Sequence, residues 1–537
     1  MKGILKYLAI SVTLSQAAFA AVPSDPLAAK VQEVNLVNSE EPTTLDPQLC
    51  HETACTELVR SLYEGLLRTD GNGEIVPAAA EKWSITPDGK KYTFTLRKNL
   101  KWSDGSELTA HDFVYGFRRL VDPKVASENA SNLENVLNGT EINQGKMALH
   151  TLGVKALDNL TLEITLKRPT GYFLESLAVS AVVPLQKKNY EKYGASAFTL
   201  TENFVGNGPF ILSLRKSRDR IVFTPNKYYW NKDKVYLSKV NYLIVGEAVA
   251  EYKMFEANQI HMTNSIPTEQ IKAIREKYPN QLKTFEELAT YYYIYNFRNP
   301  KLKNKSLRQA LNIAIDRDVI TKSLLNTGQI SAYDLIPNNM KSYSHSKAYW
   351  QEWPRDKQLS EARKLYADAG YSKENPLKIQ ILFNTDEGHK KIATAIASMW
   401  KKTLGAEVET LNEEWKTMLD KRSTGQFEVM RLGGVADIND PYNFFENLIS
   451  HKEVNVTKYI NAEFDKYIEQ AENEVNPEKR KALLNKAGKI IVEEAPISPI
   501  YYYANNYLIR DELVGLKKNS MNQFSLVGVY LREQKKS

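Results

Sequence analysis

Two regimes of hydrophobic patterning divide the chain. Between residues 91 and 226, apolar and polar positions mostly alternate, the period of half-buried strands, in KYTFTLRK (91–98), TLEITLK (161–167), GPFILSL (208–214) and RIVFTPN (220–226). The last two are spaced for an antiparallel pair. Within this half, KWSDGSEL turns at Asp104-Gly105 into TAHDFVYGFRRL, where Thr109 and Asp112 have the spacing of a capping box and open a helix. The pattern predicts an α+β arrangement.

Beyond residue 306 the period lengthens. SLRQALNIAIDRDVITKSLL (306–325) sets Leu307, Ala310, Leu311, Ala314 and Ile315 on one stripe, predicting one long amphipathic helix. Then come strand KIQILFN (378–384), helix HKKIATAIASMWKKTLG (389–405), strand AEVETL (406–411), helix EWKTMLDKR (414–422) and strand FEVMRLGG (427–434). Such alternation predicts βαβ units and a largely parallel sheet. Two tyrosine-rich strands, ELATYYYIYNFRN (287–299) and PISPIYYYANNYLIR (496–510), bracket the region. As crossings between lobes they form a two-stranded hinge and return the last residues to the first lobe.

Composition narrows the class. The opening MKGILKYLAISVTLSQAAFA combines lysines, a short apolar run and small residues at Ala18 and Ala20, and reads as a signal peptide over 1–20. No cysteine stands at its end to carry a lipid. The expectation is a free, exported protein of the periplasm. Lys2 and Lys6 supply two of the formal net charge of +7, and the other charges are interspersed, so there is no nucleic-acid footprint. A length of 537 residues predicts roughly three domains on the usual scale of ~150 residues each.

Cys50 and Cys55, in LCHETAC, are the only cysteines. In an exported chain they suit a disulfide whose short loop contributes ~2 kcal/mol. Free thiols, or a metal or haem site with His51, are the alternatives, though two sulfurs and one imidazole leave a metal shell incomplete. No G-x-S-x-G, H-E-x-x-H, Walker A or G-x-G-x-x-G stretch occurs, and the seven histidines are scattered. Enzyme is the weaker class. No catalytic residue, metal or cofactor is assigned.

RLGGVADINDP (431–441) sets opposite charges around a bare Gly-Gly in what otherwise looks like a core strand; from the residues alone a glycine bulge of purely structural purpose is the preferred reading, and a ligand surface the other. Phe427, Val429 and Arg431 share one parity, so Arg431 ends an apolar face near the strand's C-terminal edge. Ligand crevices in open α/β sheets lie beyond such edges.

LYEGLL (62–67), the run from Glu81 to Pro123, VGNGPFIL (205–212), NKYYWN (226–231), TYYYIYN (290–296), ASMWKKTLG (397–405), EEWKTMLDKR (413–422) and PISPIYYY (496–503) occur in order along the chain. Together they resemble the periplasmic oligopeptide-binding proteins of ABC importers, family 5 solute-binding proteins, with murein-tripeptide-binding proteins close by. The resemblance implies an α/β fold of the type II periplasmic binding protein kind, two mixed-sheet lobes joined by a two-stranded hinge plus an extra α+β domain. It implies domain I at 21–62, 187–288 and 505–537, domain II at 63–186, and domain III at 289–504. The implied function is capture of short peptides by hinge closure and delivery to permease subunits, as a monomer without nucleic acid or cofactor. Narrower binding of a murein tripeptide or haem is the alternative, and a hydrolase on this scaffold the rival of another class.

At matching positions the resemblance assigns Asp437 to the peptide's N-terminal amine, and Arg431, Arg422 and His389 to its carboxylate. It gives Gly433 and Val435 backbone pairing, and Trp415, Tyr292 and Tyr503 side-chain pockets. LCHETAC would border the ligand. Ala289 and Val435 stand where relatives often carry a disulfide, and Gly434 where a tryptophan is common, which predicts a roomier groove.

Overall fold

The computed structural model describes residues 20–533; the expected signal peptide, apart from Ala20, lies outside the described residues. Three sheets form its framework. The first has the order Glu33–Asn38, Lys239–Ile244, Arg220–Pro225, Phe210–Lys216, with the first pair parallel and the others antiparallel. Its alternating residues separate two cores: Val34, Leu36, Phe210, Phe223 and Tyr242 on one face, and Val37 with Phe255, Ile274 and Leu508 on the other. The predicted antiparallel pair is therefore present.

The second sheet is wholly antiparallel, ordered Ala80–Ile85, Lys91–Leu96, Thr161–Thr165, Val154–Ala156. It packs Tyr92, Phe94, Leu162 and Ile164 against the helix Ala110–Leu120 through Phe113 and Phe117. That helix begins where the capping box placed it, the Thr109 N–H donating to the Asp112 carboxylate at 2.8 Å. The preceding turn uses Gly105 at φ +87°, which a glycine adopts without strain.

The third sheet has six strands, ordered Ile330–Ser331, Ile497–Leu508, Leu282–Tyr295, Val429–Val435, Lys378–Asn384, Glu407–Glu413. Only the pairings of Lys378–Asn384 with its two neighbours are parallel, and the other three are antiparallel. The expectation of a largely parallel sheet is thus corrected. The helices Glu387–Leu404 and Trp415–Thr424 make true crossovers, but the tyrosine-rich strands enter the middle of the sheet as an antiparallel ribbon. Separate cores cover the two faces, one built on Tyr291, Tyr293, Ile381 and Trp400, the other on Tyr292, Met430, Leu432 and Phe445.

That ribbon is also the crossing between lobes. It pairs Leu282 with Leu508 through Glu286 with Ala504, breaks register, and resumes at Thr290 with Tyr502. In the break, the buried Leu288 donates its N–H to the Ser520 carbonyl at 2.6 Å, tying the ribbon to the returning C-terminal segment.

The single long helix expected at 306–325 is two pieces. Lys305–Ala314 ends at Ile315, which is extended (φ −73°, ψ 123°), and a wide-turn helix resumes at Val319–Leu325. Arg317 causes the break: its buried guanidinium donates to the carbonyls of Ala332 at 2.7 Å, Pro499 at 2.8 Å and Asn312 at 3.1 Å. A buried cation must find such acceptors, and a continuous helix would have left it outside. Asp316 then accepts from the Val319 N–H at 3.1 Å and starts the next turn.

Candidate ligand-binding cleft

Backbone parity decides what the Gly-Gly strand can do. The Ala436 N–H donates to Leu288 O at 2.8 Å and the Asn296 N–H to Glu428 O at 3.0 Å, so the even-numbered residues between 428 and 436 bond the tyrosine-rich neighbour. In an antiparallel ladder the odd ones face away. On that far side, Lys378–Asn384 pairs only as far as Ile381 with Val429 and Leu382 with Met430. The second of these parallel pairings takes up the Arg431 N–H, so the Arg431 carbonyl and the backbone groups of Gly433 and Val435 form an edge paired by no strand among the described residues. An extended chain can add there.

Arg431 lies at the start of this edge within a cluster of rings. Its guanidinium donates to Tyr503 Oη at 3.0 Å and Asn384 Oδ1 at 3.2 Å, and sits 4.6 Å from the centre of the Tyr291 ring. Its Nε–H is buried without a partner among the described residues. His389 approaches from the first turn of its helix, Nδ1 lying 3.3 Å from Tyr291 Oη. Burial pushes its imidazole down to about 4, and the Arg431 charge adds to the effect. At neutral pH His389 is a neutral hydrogen-bonding group beside a permanent cation. The parity argument holds from Val429 onward, whereas Phe427 precedes the strand and packs in the opposite core.

The two glycines have different tasks. A Cβ on Gly433 would stand 3.0 Å from Tyr503 Oη and 3.4 Å from an Arg431 nitrogen, so its bareness makes room for their hydrogen bond. On Gly434 it would meet the Tyr292 ring at 3.5 Å and Phe444 at 3.7 Å. The groove is not roomier at Gly434, because that position faces a filled core. Ala289 and Val435 are direct cross-strand partners, as a linked pair would be.

Tyr292 and Arg422 lie on the other face of the sheet. They line a small recess with Leu432, Leu448 and Val456, and the Arg422 Nε is buried without a partner among the described residues. The structure does not bring Arg422 into the Arg431 cluster. It sits in the last turn of Trp415–Thr424, where a cation is also favoured by the helix dipole. Trp415, at the other end of that helix, is half exposed, and Tyr503 belongs to the Arg431 cluster.

Asp437 ends the open edge. Its N–H donates to Asn443 Oδ1 at 2.6 Å, while its carboxylate has no partner among the described residues. Solvent reaches the side chain, yet the surrounding walls desolvate it and raise its pKa. It opens on a water-sized recess of about 10 Å³ shared with Arg60, Thr69, Glu175, Val179 and Gln523, contributed by both other sheet regions. Burial, with a further contribution from Asp440, lifts Glu175 to about 7. A neighbouring cavity of about 80 Å³ shares Arg60, Thr69, Ala178, Val179 and Gln523 with the recess.

Arg60 and Glu175 at the recess, and Arg68 in the neighbouring cavity, were not singled out from the sequence; each lies in an ordinary stretch, and only the packing of distant segments brings them to one place. At LCHETAC the expected disulfide is present, but the loop does not border the cavities. Cys50 and Cys55 are disulfide-bonded and buried in the first core, and no residue of 49–55 lines either cavity. The bond removes two of the three ligands a haem or metal site there would need. The loop leads into the N-terminal end of Thr53–Leu62, whose opposite end carries Arg60 and Ser61 into the cavity.

The model of the bacterial extracellular solute-binding proteins, family 5, matches residues 74–456. The chain belongs to this family. It is 38% identical to the periplasmic murein peptide-binding protein MppA of Escherichia coli over 515 residues, 96% of this chain and 95% of that one. To the periplasmic oligopeptide-binding protein OppA of Salmonella typhimurium it is 36% identical over 533 residues, 98% and 97% of the two chains. Its structure superposes on the unliganded open form of MppA with a TM-score of 0.89 at 37% identity, covering 95% of this chain and 99% of that one. As a family 5 solute-binding protein it is a binding protein rather than an enzyme, and its fold is the type II periplasmic binding protein fold. No helix among the described residues is long and apolar enough to cross a membrane.

Proposed function

We propose that the chain captures short peptides in extended form, closes on them about the two-stranded ribbon, and delivers them to the permease of an ABC importer. One observation carries the reading: an unpaired backbone edge at Gly433 and Val435 runs between the Arg431 guanidinium at one end and a carboxylate without a partner among the described residues, Asp437, at the other. A zwitterionic chain lying along it pairs with Gly433 and Val435, gives its ammonium to Asp437 and its carboxylate to Arg431, with His389 as a neutral donor. It runs antiparallel to the Gly-Gly strand.

Six residues of strand separate the two charges, ~20 Å at 3.3 Å per residue, less the reach of both side chains. That span suits a peptide of a few residues. Tyr503 and Trp415 border its side chains. The three-domain partition at 21–62 with 187–288 and 505–537, 63–186, and 289–504 is supported by separate cores, one of which runs from Leu66 to Val182 and, among the described residues, has Val205 and Trp230 as the hydrophobic side chains packed against it from outside. The relatives' names support a periplasmic location, and we assign a cleaved 1–20 leader and a monomer. The likeness to MppA favours murein peptide as a second reading.

Native mass spectrometry of the protein as purified, followed by calorimetric titration with tri-alanine, tests the proposal. A retained or titratable peptide is expected. Failure to bind any tri- to pentapeptide overturns it, and a retained muropeptide selects the second reading.

A further inference from the structure

The cavity beside the Asp437 recess holds four charged side chains, and they are not equivalent. The Glu64 carboxylate is occupied by the Tyr229 hydroxyl and the Trp230 indole N–H, each at 2.5 Å. Asp70 spends its carboxylate on its own turn, accepting from the N–H groups of Asn72 at 2.8 Å and Glu74 at 3.0 Å. Arg60 and Arg68 line the same cavity, and neither guanidinium makes a hydrogen bond or ion pair with a described residue. Burial depresses Arg60 to about 10, and Glu57 only partly offsets it. Glu64, pushed toward its neutral form by the same burial, is a weak counter-charge for Arg68. Ser61, Thr69 and Asn519 add neutral polar groups to the wall.

We infer that this cavity is a subsite for an anionic group carried by the first residue of the bound peptide, with Arg60 and Arg68 as its counter-ions. The inference rests on the peptide reading, since it needs the ammonium fixed at Asp437. From there the first side chain enters the cavity directly, because five lining residues are common to recess and cavity. The volume of about 80 Å³ accepts a carboxylate on a short stem. Two planar, permanently charged donors suit such a group better than lysine would. The chain would therefore prefer glutamate or aspartate at the ligand's N-terminal position.

The test compares two tripeptides by calorimetry, one beginning with glutamate and one with glutamine, each followed by two alanines. The wild-type protein should bind the glutamate peptide about tenfold more tightly, the scale of one charge-assisted contact. In Arg68→Gln the ratio of the two affinities should fall toward one, and in Arg68→Lys part of it should return. The ratio is read within one protein, so general damage cancels. Equal affinities in the wild type, or a ratio unchanged in Arg68→Gln, would overturn the subsite. Absence of binding by both peptides and by tri-alanine would instead sink the peptide reading on which it rests.

Discussion

Replacing Asp437 by asparagine separates a ligand role from a structural one. The carboxylate makes no hydrogen bond or ion pair with a described residue, and the hydrogen bond this position makes is through its backbone N–H, to Asn443 at 2.6 Å. Asparagine keeps that bond and the side chain's shape. Unliganded stability should therefore stay within ~0.5 kcal/mol of wild type. For the ligand, a charge-assisted hydrogen bond nets ~1.5–3 kcal/mol, or roughly 10- to 150-fold in affinity. Asp437 is exposed to solvent, so the lower part of the range applies. The assay is a double cycle by calorimetry, titrating tri-alanine and its N-acetylated form into both proteins. Acetylation should weaken binding to wild type by the same factor as the substitution, and weaken binding to Asp437→Asn little further. Equal acetylation penalties in the two proteins would refute the pairing of Asp437 with the amine, whatever the absolute affinities.

Other consequences are as direct. The Cys50–Cys55 bond spans a sequence separation of 5, and closing so short a loop contributes ~2 kcal/mol; urea unfolding of the double serine variant should show that loss, with peptide affinity kept because neither cysteine lines the cleft. His389 should titrate near 4 in unliganded protein when followed by NMR. Since its folded pKa lies below the unfolded 6.5, the stability it contributes is complete above 6.5 and lost as pH falls toward 4; a midpoint at 6.5 would contradict its burial beside Arg431. Glu175 has the opposite sign. Its carboxyl is raised from 4.5 to about 7, so its contribution is complete below 4.5 and lost as pH rises through 7. Glu175→Gln should raise the melting temperature at pH 8, by about 2 °C or more, and leave it unchanged at pH 5.

Particular elements show how far local pattern reaches. The Thr109–Asp112 capping box, the antiparallel pair around 210–225 and the two tyrosine-rich crossings were legible because each depends on neighbours in sequence or on strict alternation. The helix over 306–325 failed at Arg317, whose acceptors on Ala332 and Pro499 come from other parts of the chain. Strand direction failed in the same way: crossover helices announce parallel pairs, but nothing local says that a ribbon from outside will occupy the centre of the sheet.

The sequence by itself determined the alternation of strands and helices, the family, and the identity of the charged residues flanking Gly433 and Gly434. Those depend on periodicity and on motifs that a chain carries wherever it folds. Tertiary structure decided which of these charges are available. Arg431 is held by Tyr503 and Asn384, Arg422 falls on the opposite face, and the Asp437 carboxylate is left without a partner among the described residues. It also decided that Glu64 and Asp70 are engaged while Arg60 and Arg68 are not. The physical reason is that a charge acts on a ligand only through what other segments leave unsatisfied, and that remainder is set by long-range packing.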